Sequence, residues 1–177
     1  MSRLAIIIAP DPRLKIKAKP VAAVDDAVRR LMDDMLETMY GAPGIGMAAT
    51  QVGEAVRVIV VDVSPLEGDP EPMQMANPEV IWASDEREMC EEGCLSLPSY
   101  YAEVERPVRV RVRYLDYDNV AREIDAEGAL ATCIQHEIDH LDGTLFVDHI
   151  SALKRGIILR KLKKQKKIDA EDAARGK

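Results

Sequence analysis

Glu127-Gly128-Ala129-Leu130-Ala131-Thr132-Cys133-Ile134-Gln135-His136-Glu137-Ile138-Asp139-His140-Leu141 carries two superimposed patterns. Leu130, Ile134, Ile138 and Leu141 recur at helical spacing as one apolar stripe, while Ala129, Cys133, His136 and His140 form a second on roughly the opposite side. A helix with two such faces has to be covered on more than one side. It belongs at the centre of the fold, with sheet against one face and a pocket against the other. Within it, His136 and His140 lie one turn apart, so both imidazoles can reach one divalent ion while Glu137 stands beside any water that ion holds. The chain has only three histidines, and two of them are here.

Outward from this helix, the flanking sequence reads as short strands. In Val108 to Tyr114 valine and arginine alternate, which buries one face and leaves Arg109, Arg111 and Arg113 on a wet one. Asp118-Asn119 marks a turn into a partner strand ending near Asp125. Val56 to Val63 reads as a largely buried strand, Asn77 to Ala83 as another, and Ser64 to Pro72 as an exposed loop. From Asp25 to Tyr40, Val28, Leu31, Met32, Met35, Leu36 and Met39 make an amphipathic helix with Asp25 or Asp26 as N-cap and Gly41 as stop. Strands without βαβ alternation and helices towards the two ends predict an α+β fold, mainly antiparallel sheets around the central helix, with a further helix at the C-terminus. A single domain over 1–177 is expected, with 150–177 as a basic helix or tail.

Composition narrows the function. With 177 residues, 47% of them hydrophobic, the chain can bury a real core, and a formal charge of −7 with 4% aromatic residues disfavours a general nucleic-acid binder. No stretch is long and apolar enough to cross a bilayer. The apolar run from Leu4 to Ala9 is too brief for a signal peptide, and three cysteines are an odd count, so reduced thiols in a cytoplasm are expected.

A catalytic metal of this kind normally takes three protein ligands and keeps one position for solvent. His149, Cys90 and Cys94 are the open choices for the third ligand. Cys133 is not, because its Cα lies about 10.5 Å along the helix axis from that of His140 at ~1.5 Å per residue. Cys94 follows Gly93 and precedes Pro98, and a thiolate presented from such a rigid turn is a credible ligand. A downstream ligand such as His149 would instead suit a zinc peptidase, and Cys90 as a fourth ligand would make the site a closed, structural one.

Three motifs stand in order: Gly44-Ile45-Gly46-Met47-Ala48-Ala49-Thr50-Gln51, Glu92-Gly93-Cys94-Leu95-Ser96, and His136-Glu137-Ile138-Asp139-His140. Through them the chain resembles the peptide deformylases, and the similarity runs from Asp11-Pro12-Arg13-Leu14 to the C-terminal helix. The resemblance implies hydrolysis of the formyl group on the N-terminal formylmethionine of nascent polypeptides, in a bacterial type of cytoplasm. It implies one divalent metal held by Cys94, His136 and His140, ferrous iron in the cell, with zinc, nickel or cobalt as alternatives. Glu137 would be the base, and Gln51 with the backbone N–H of Leu95 would stabilise the oxyanion. Taken without the resemblance, Gln51 reads as a surface polar residue.

In the same reading the peptide pairs its backbone with Ile45 and Gly46 on one side and Gly93 on the other. Ala129, Thr132 and Cys133, which face the same way as His136, would wall an apolar slot for methionine. Arg106 and Asp139 are plausible partners in an ion pair behind the ligands. Two departures from similar sequences stand close to the motifs: Pro43, where an acid is frequent, and Tyr100-Tyr101, where a base is frequent. Finally, Lys154, Arg155, Arg160, Lys161, Lys163, Lys164, Lys166 and Lys167 fall in a segment without acids, with Leu153, Ile157 and Leu162 as apolar anchors. This reads as a helix leaving the domain, and the resemblance suggests the ribosome near its tunnel exit as partner.

Overall fold

The computed structural model describes residues 2–64 and 69–175. Its elements are helices α1 (Asp26–Gly41), α2 (Gly128–Leu141) and α3 (Ala152–Arg175), and strands β1 (Gly46–Ala48), β2 (Val58–Val61), β3 (Met73–Ala83), β4 (Arg87–Cys94), β5 (Leu97–Pro107), β6 (Arg109–Leu115) and β7 (Ala121–Glu127). Five strands form one antiparallel sheet in the order β1-β2-β3-β6-β7, and β4 and β5 form a separate antiparallel hairpin. The α+β reading therefore holds. Among the described residues no helix is long and apolar enough to cross a membrane.

The sheet is sandwiched between the first two helices. In β2, Ile59 and Val61 point to the α2 side, where they pack with Val110, Val112, Ala131 and Ile134, while Val58 and Val60 point to α1 and its Met32, Met35 and Met39. A strand with both faces buried loses its alternation, which is why 56–63 reads as an unbroken apolar run. Helix α1 starts at Asp25, whose carboxylate accepts the N–H groups of Ala27 and Val28, a cap worth about 1 kcal/mol. No side chain caps the start of α2. Its stability comes from burial, and its end is fixed by Gly143, whose φ of +74° sets it against the backbone of Lys15 where a Cβ would meet the carbonyl oxygen at 2.5 Å.

On β6, Arg109, Arg111 and Arg113 are exposed as expected, and Arg111 and Arg113 pair across to Asp125 and Glu123 of β7. Residues 65–68 of the expected 64–72 loop lie outside the described residues.

Two expectations need correction. Residues 93–98 are not a free rigid turn: Gly93 and Cys94 close β4, Leu97 and Pro98 open β5, and only Leu95 and Ser96 connect them. Both strands of this hairpin escaped the pattern reading. The C-terminal helix does not hang on Leu153 and Ile157, which are exposed. It docks through Ile158, Leu159 and the buried Leu162 onto a cluster with Leu97, Val104 and Phe146. Its basic segment leaves the body of the fold only along its outer faces.

Candidate metal centre

Helix α2 and the end of β4 meet where the hairpin crosses the helix. This brings Cys94 Sγ, His136 and His140 together, with their ligand atoms all within 4.8 Å of one another. Cys94 Sγ lies 3.2 Å from His140 Nε2. Cys90 and His149, the other open choices, stay outside the group: Cys90 Sγ accepts from Thr132 Oγ1, and His149 Nε2 donates to Asp139 at 2.7 Å. One half-buried sulfur and two buried imidazoles, convergent, are a donor set that suits zinc or ferrous iron. The residues present fit a catalytic divalent ion, since among the described residues no fourth Cys, His or carboxylate closes the cluster.

Behind the ligands runs a chain of charges. His136 Nδ1 donates to Glu92 Oε2 at 2.8 Å, which leaves Nε2 for the metal side. Glu92 in turn accepts a two-pronged pair from Arg106, at 2.7 and 3.0 Å, and the third arm of the guanidinium reaches Asp139 at 2.7 Å. Glu92 and Arg106 are both 5% exposed. Burial penalises the Glu92 carboxylate, but the hydrogen bonds from His136 and Arg106 overcome it and hold the group at about 2. The expected Arg106–Asp139 pair is present. Glu92 is the residue that the pattern reading missed as its centre, although the acid opens the second motif.

Glu137 occupies the other side of the cluster. Its Oε2 is buried and has no hydrogen-bond partner among the described residues, and burial pushes its carboxyl up to about 7. Gly46 is what makes room for it: a Cβ there would sit 2.5 Å from Glu137 Oε1 and 2.7 Å from Cys133 Sγ. Gln51 is 1% exposed, against its reading as a surface residue. Its Oε1 accepts the Ala48 N–H at 2.8 Å, and its Nε2 donates to Ser96 Oγ at 3.1 Å and approaches Cys94 Sγ at 3.5 Å. The carbonyl side of the amide is thus fixed and the donor side faces the metal cluster.

A cleft of about 750 Å³ opens in front of these groups. Ile45 and Gly46 form one wall, Gly93 and Leu95 another, and Ala129, Thr132 and Cys133 of α2 lie at its base. Cys133 is 6% exposed, burial pushes its thiol pKa well up, and the neutral thiol donates to the Ile45 carbonyl at 3.4 Å. Gly44, Ile45, Gly46 and Gln51 of the first motif, Glu92 to Leu95 of the second, and His136 and Glu137 of the third line this one cavity.

A sequence profile of the polypeptide deformylase family matches residues 3–156. A peptide deformylase from Methylocella silvestris is 59% identical over 173 residues, covering 96% of this chain and 88% of its own length. The crystal structure of peptide deformylase from Ehrlichia chaffeensis superposes with a TM-score of 0.90 at 41% identity, covering 96% of this chain and 99% of that one. The same enzyme in complex with actinonin gives 0.89 at 43% identity, covering 93% and 98%.

Proposed function

From the premise that the chain belongs to the polypeptide deformylase family, metal-dependent hydrolases that remove the N-formyl group from the formylmethionine of nascent polypeptides, we propose how its own residues divide that work. The observation that carries the assignment is the Cys94-His136-His140 cluster, with the unpartnered Glu137 carboxylate oxygen at the end of an open cleft. Cys94, His136 and His140 hold the metal, which when bound brings the pKa of a water molecule towards neutrality. Glu137 takes the proton of the attacking water and returns it to the leaving nitrogen. A carboxylate buried enough to titrate near 7 is suited to both transfers. Formate and a free methionine amine result.

As the formyl carbon becomes tetrahedral, its oxygen gains charge. Gln51 Nε2 and the Leu95 N–H are the donors aimed at it, and Gln51 is already oriented by Ala48 and Ser96. Gln51→Ala is therefore expected to lower kcat by roughly two to three orders of magnitude, or about 2.7 to 4 kcal/mol of barrier. Formate released from formyl-Met-Ala-Ser by the anaerobically purified enzyme is the measurement. Near wild-type turnover would remove Gln51 from the oxyanion site, and no formate from the wild type would remove the whole assignment. Metal analysis of the same preparation tests our proposal that the native ion is ferrous iron.

Ile45, Gly46 and Gly93 are positioned to pair with the backbone of an extended peptide, so the enzyme can accept many sequences. Selectivity then rests on the slot between Ala129, Thr132 and Cys133, which takes the methionine side chain. Nascent chains are made in the cytoplasm, and we place the enzyme there. The ribosome is the proposed partner of the outer face of α3, where Arg160, Lys163 and Lys167 follow at helical spacing. Reversing those three charges to Glu is expected to weaken co-sedimentation with ribosomes at moderate salt. Unchanged co-sedimentation would overturn this partner. Truncation is a poorer test, because Leu162 is part of the core.

A further inference from the structure

The hairpin that delivers Cys94 is not regular. Gly93 pairs with Tyr101, yet Cys94 pairs with Leu97, so Pro98, Ser99 and Tyr100 are expelled from the ladder as a bulge. Ser99 sits at φ 67°, a left-handed conformation that a non-glycine residue adopts at a cost. Bulges next to active sites typically re-aim side chains. Here the three expelled residues face two ways: they line the end of the catalytic cleft, and they form one wall of a second groove of about 610 Å³.

The opposite wall of that groove is α3. Lys161, Lys164, Gln165 and Ile168 border it, and their spacing of i, i+3, i+4 and i+7 puts them on one helix face together. This face is different from the one bearing Arg160, Lys163 and Lys167. Neither Lys161 nor Lys164 is paired with a carboxylate among the described residues, whereas Lys166 and Lys167 lie within 4 Å of Asp11 and Glu171. Among the described residues no acid borders the groove. It combines an apolar lining, from Leu162, Ile168 and Pro98, with two ammonium groups that have no carboxylate partner among the described residues.

We propose that this groove is a distal substrate subsite, which receives the part of the formyl peptide beyond its third residue and favours acidic side chains there. The proposal rests on the reading of the cleft given above. The occupant follows from continuity: Pro98, Ser99 and Tyr100 border both cavities, so an extended chain leaving the cleft over this bulge reaches the groove. Charge selects the class of side chain. The C-terminal helix thus extends the binding surface for substrate, and its lysines on this face read the peptide.

The test compares three substrates on the metal-loaded full chain: formyl-Met-Ala-Ser, the same head followed by Glu-Leu-Glu, and the same head followed by Gln-Leu-Gln. The wild type is expected to show a kcat/KM about 3- to 10-fold higher for the acidic than for the neutral hexapeptide, carried by KM and shrinking with added salt, the size expected of two exposed ion pairs. In a Lys161→Gln, Lys164→Gln double variant that ratio should fall to about 1. Equal values for the two hexapeptides in the wild type, with the tripeptide turned over, would overturn the subsite alone. So would an acidic preference that survives in the double variant. A wild type that releases no formate from the tripeptide would overturn the reading of the cleft, and the subsite with it.

Discussion

Glu137→Gln is expected to lower kcat by roughly 10²- to 10⁴-fold while metal content and thermal stability stay close to those of the wild type. The amide has the shape of the carboxyl and fits the same space against Gly46, where the backbone leaves no room for a Cβ. What it loses is the ability to accept a proton. Glu137 Oε2 is buried without a hydrogen-bond partner among the described residues, so the substitution strands no other group there. The change should therefore appear in kcat far more than in KM, since the side chain acts in proton transfer and not in holding the peptide. Formate release and metal stoichiometry measured on the same preparation decide it. Turnover within a few-fold of wild type would show that another group carries the proton.

The second large effect concerns stability. Glu92→Ala is expected to cost about 3 to 5 kcal/mol, because it leaves the buried Arg106 guanidinium with only the Asp139 carboxylate to balance it. At about 2 to 4 °C per kcal/mol for a domain of this size, the melting temperature should fall by roughly 6 to 20 °C. Against a typical total of about 5 to 15 kcal/mol this brings the fold near its limit. The same substitution frees His136 Nδ1, so metal affinity should drop by about 10- to 100-fold as well.

A Glu92→Leu, Arg106→Met double variant separates the causes. If the loss comes from an unpaired buried charge, the double variant should recover much of the stability but none of the metal affinity. If thermal melts place the double variant below Glu92→Ala, packing is responsible instead. The sign of the pH dependence is also fixed. Glu92 is held at about 2, below its ordinary value of 4.5, so its contribution is fully present above pH 4.5 and is lost as pH falls from there towards 2.

Much of the centre was legible along the chain. The apolar stripe on 130–141 required a covered helix, the i, i+4 spacing put both imidazoles on its other face, and the alternation on 108–114 required a half-solvated strand. These are local regularities with a fixed period, and a fixed period survives in a one-dimensional string. Resemblance added the choice of Cys94 over Cys90 and His149, which spacing left open.

The hairpin β4–β5 shows where that legibility stops. Along Arg87–Cys94 the one fully buried residue is a charge, Glu92, and the rest of the strand is exposed or half-exposed, so it has no apolar alternation to display. Gln51 hides for a similar reason: a polar side chain is buried only because Ala48 and Ser96, one near in sequence and one 45 residues away, satisfy both ends of its amide. Sequence alone determined which residues could serve as ligands and base, since that depends on side-chain chemistry and helical period. Tertiary structure alone decided which polar groups could be buried, which thiol meets the imidazoles, and which face of α3 borders a groove, because each depends on partners that meet only when distant segments pack together.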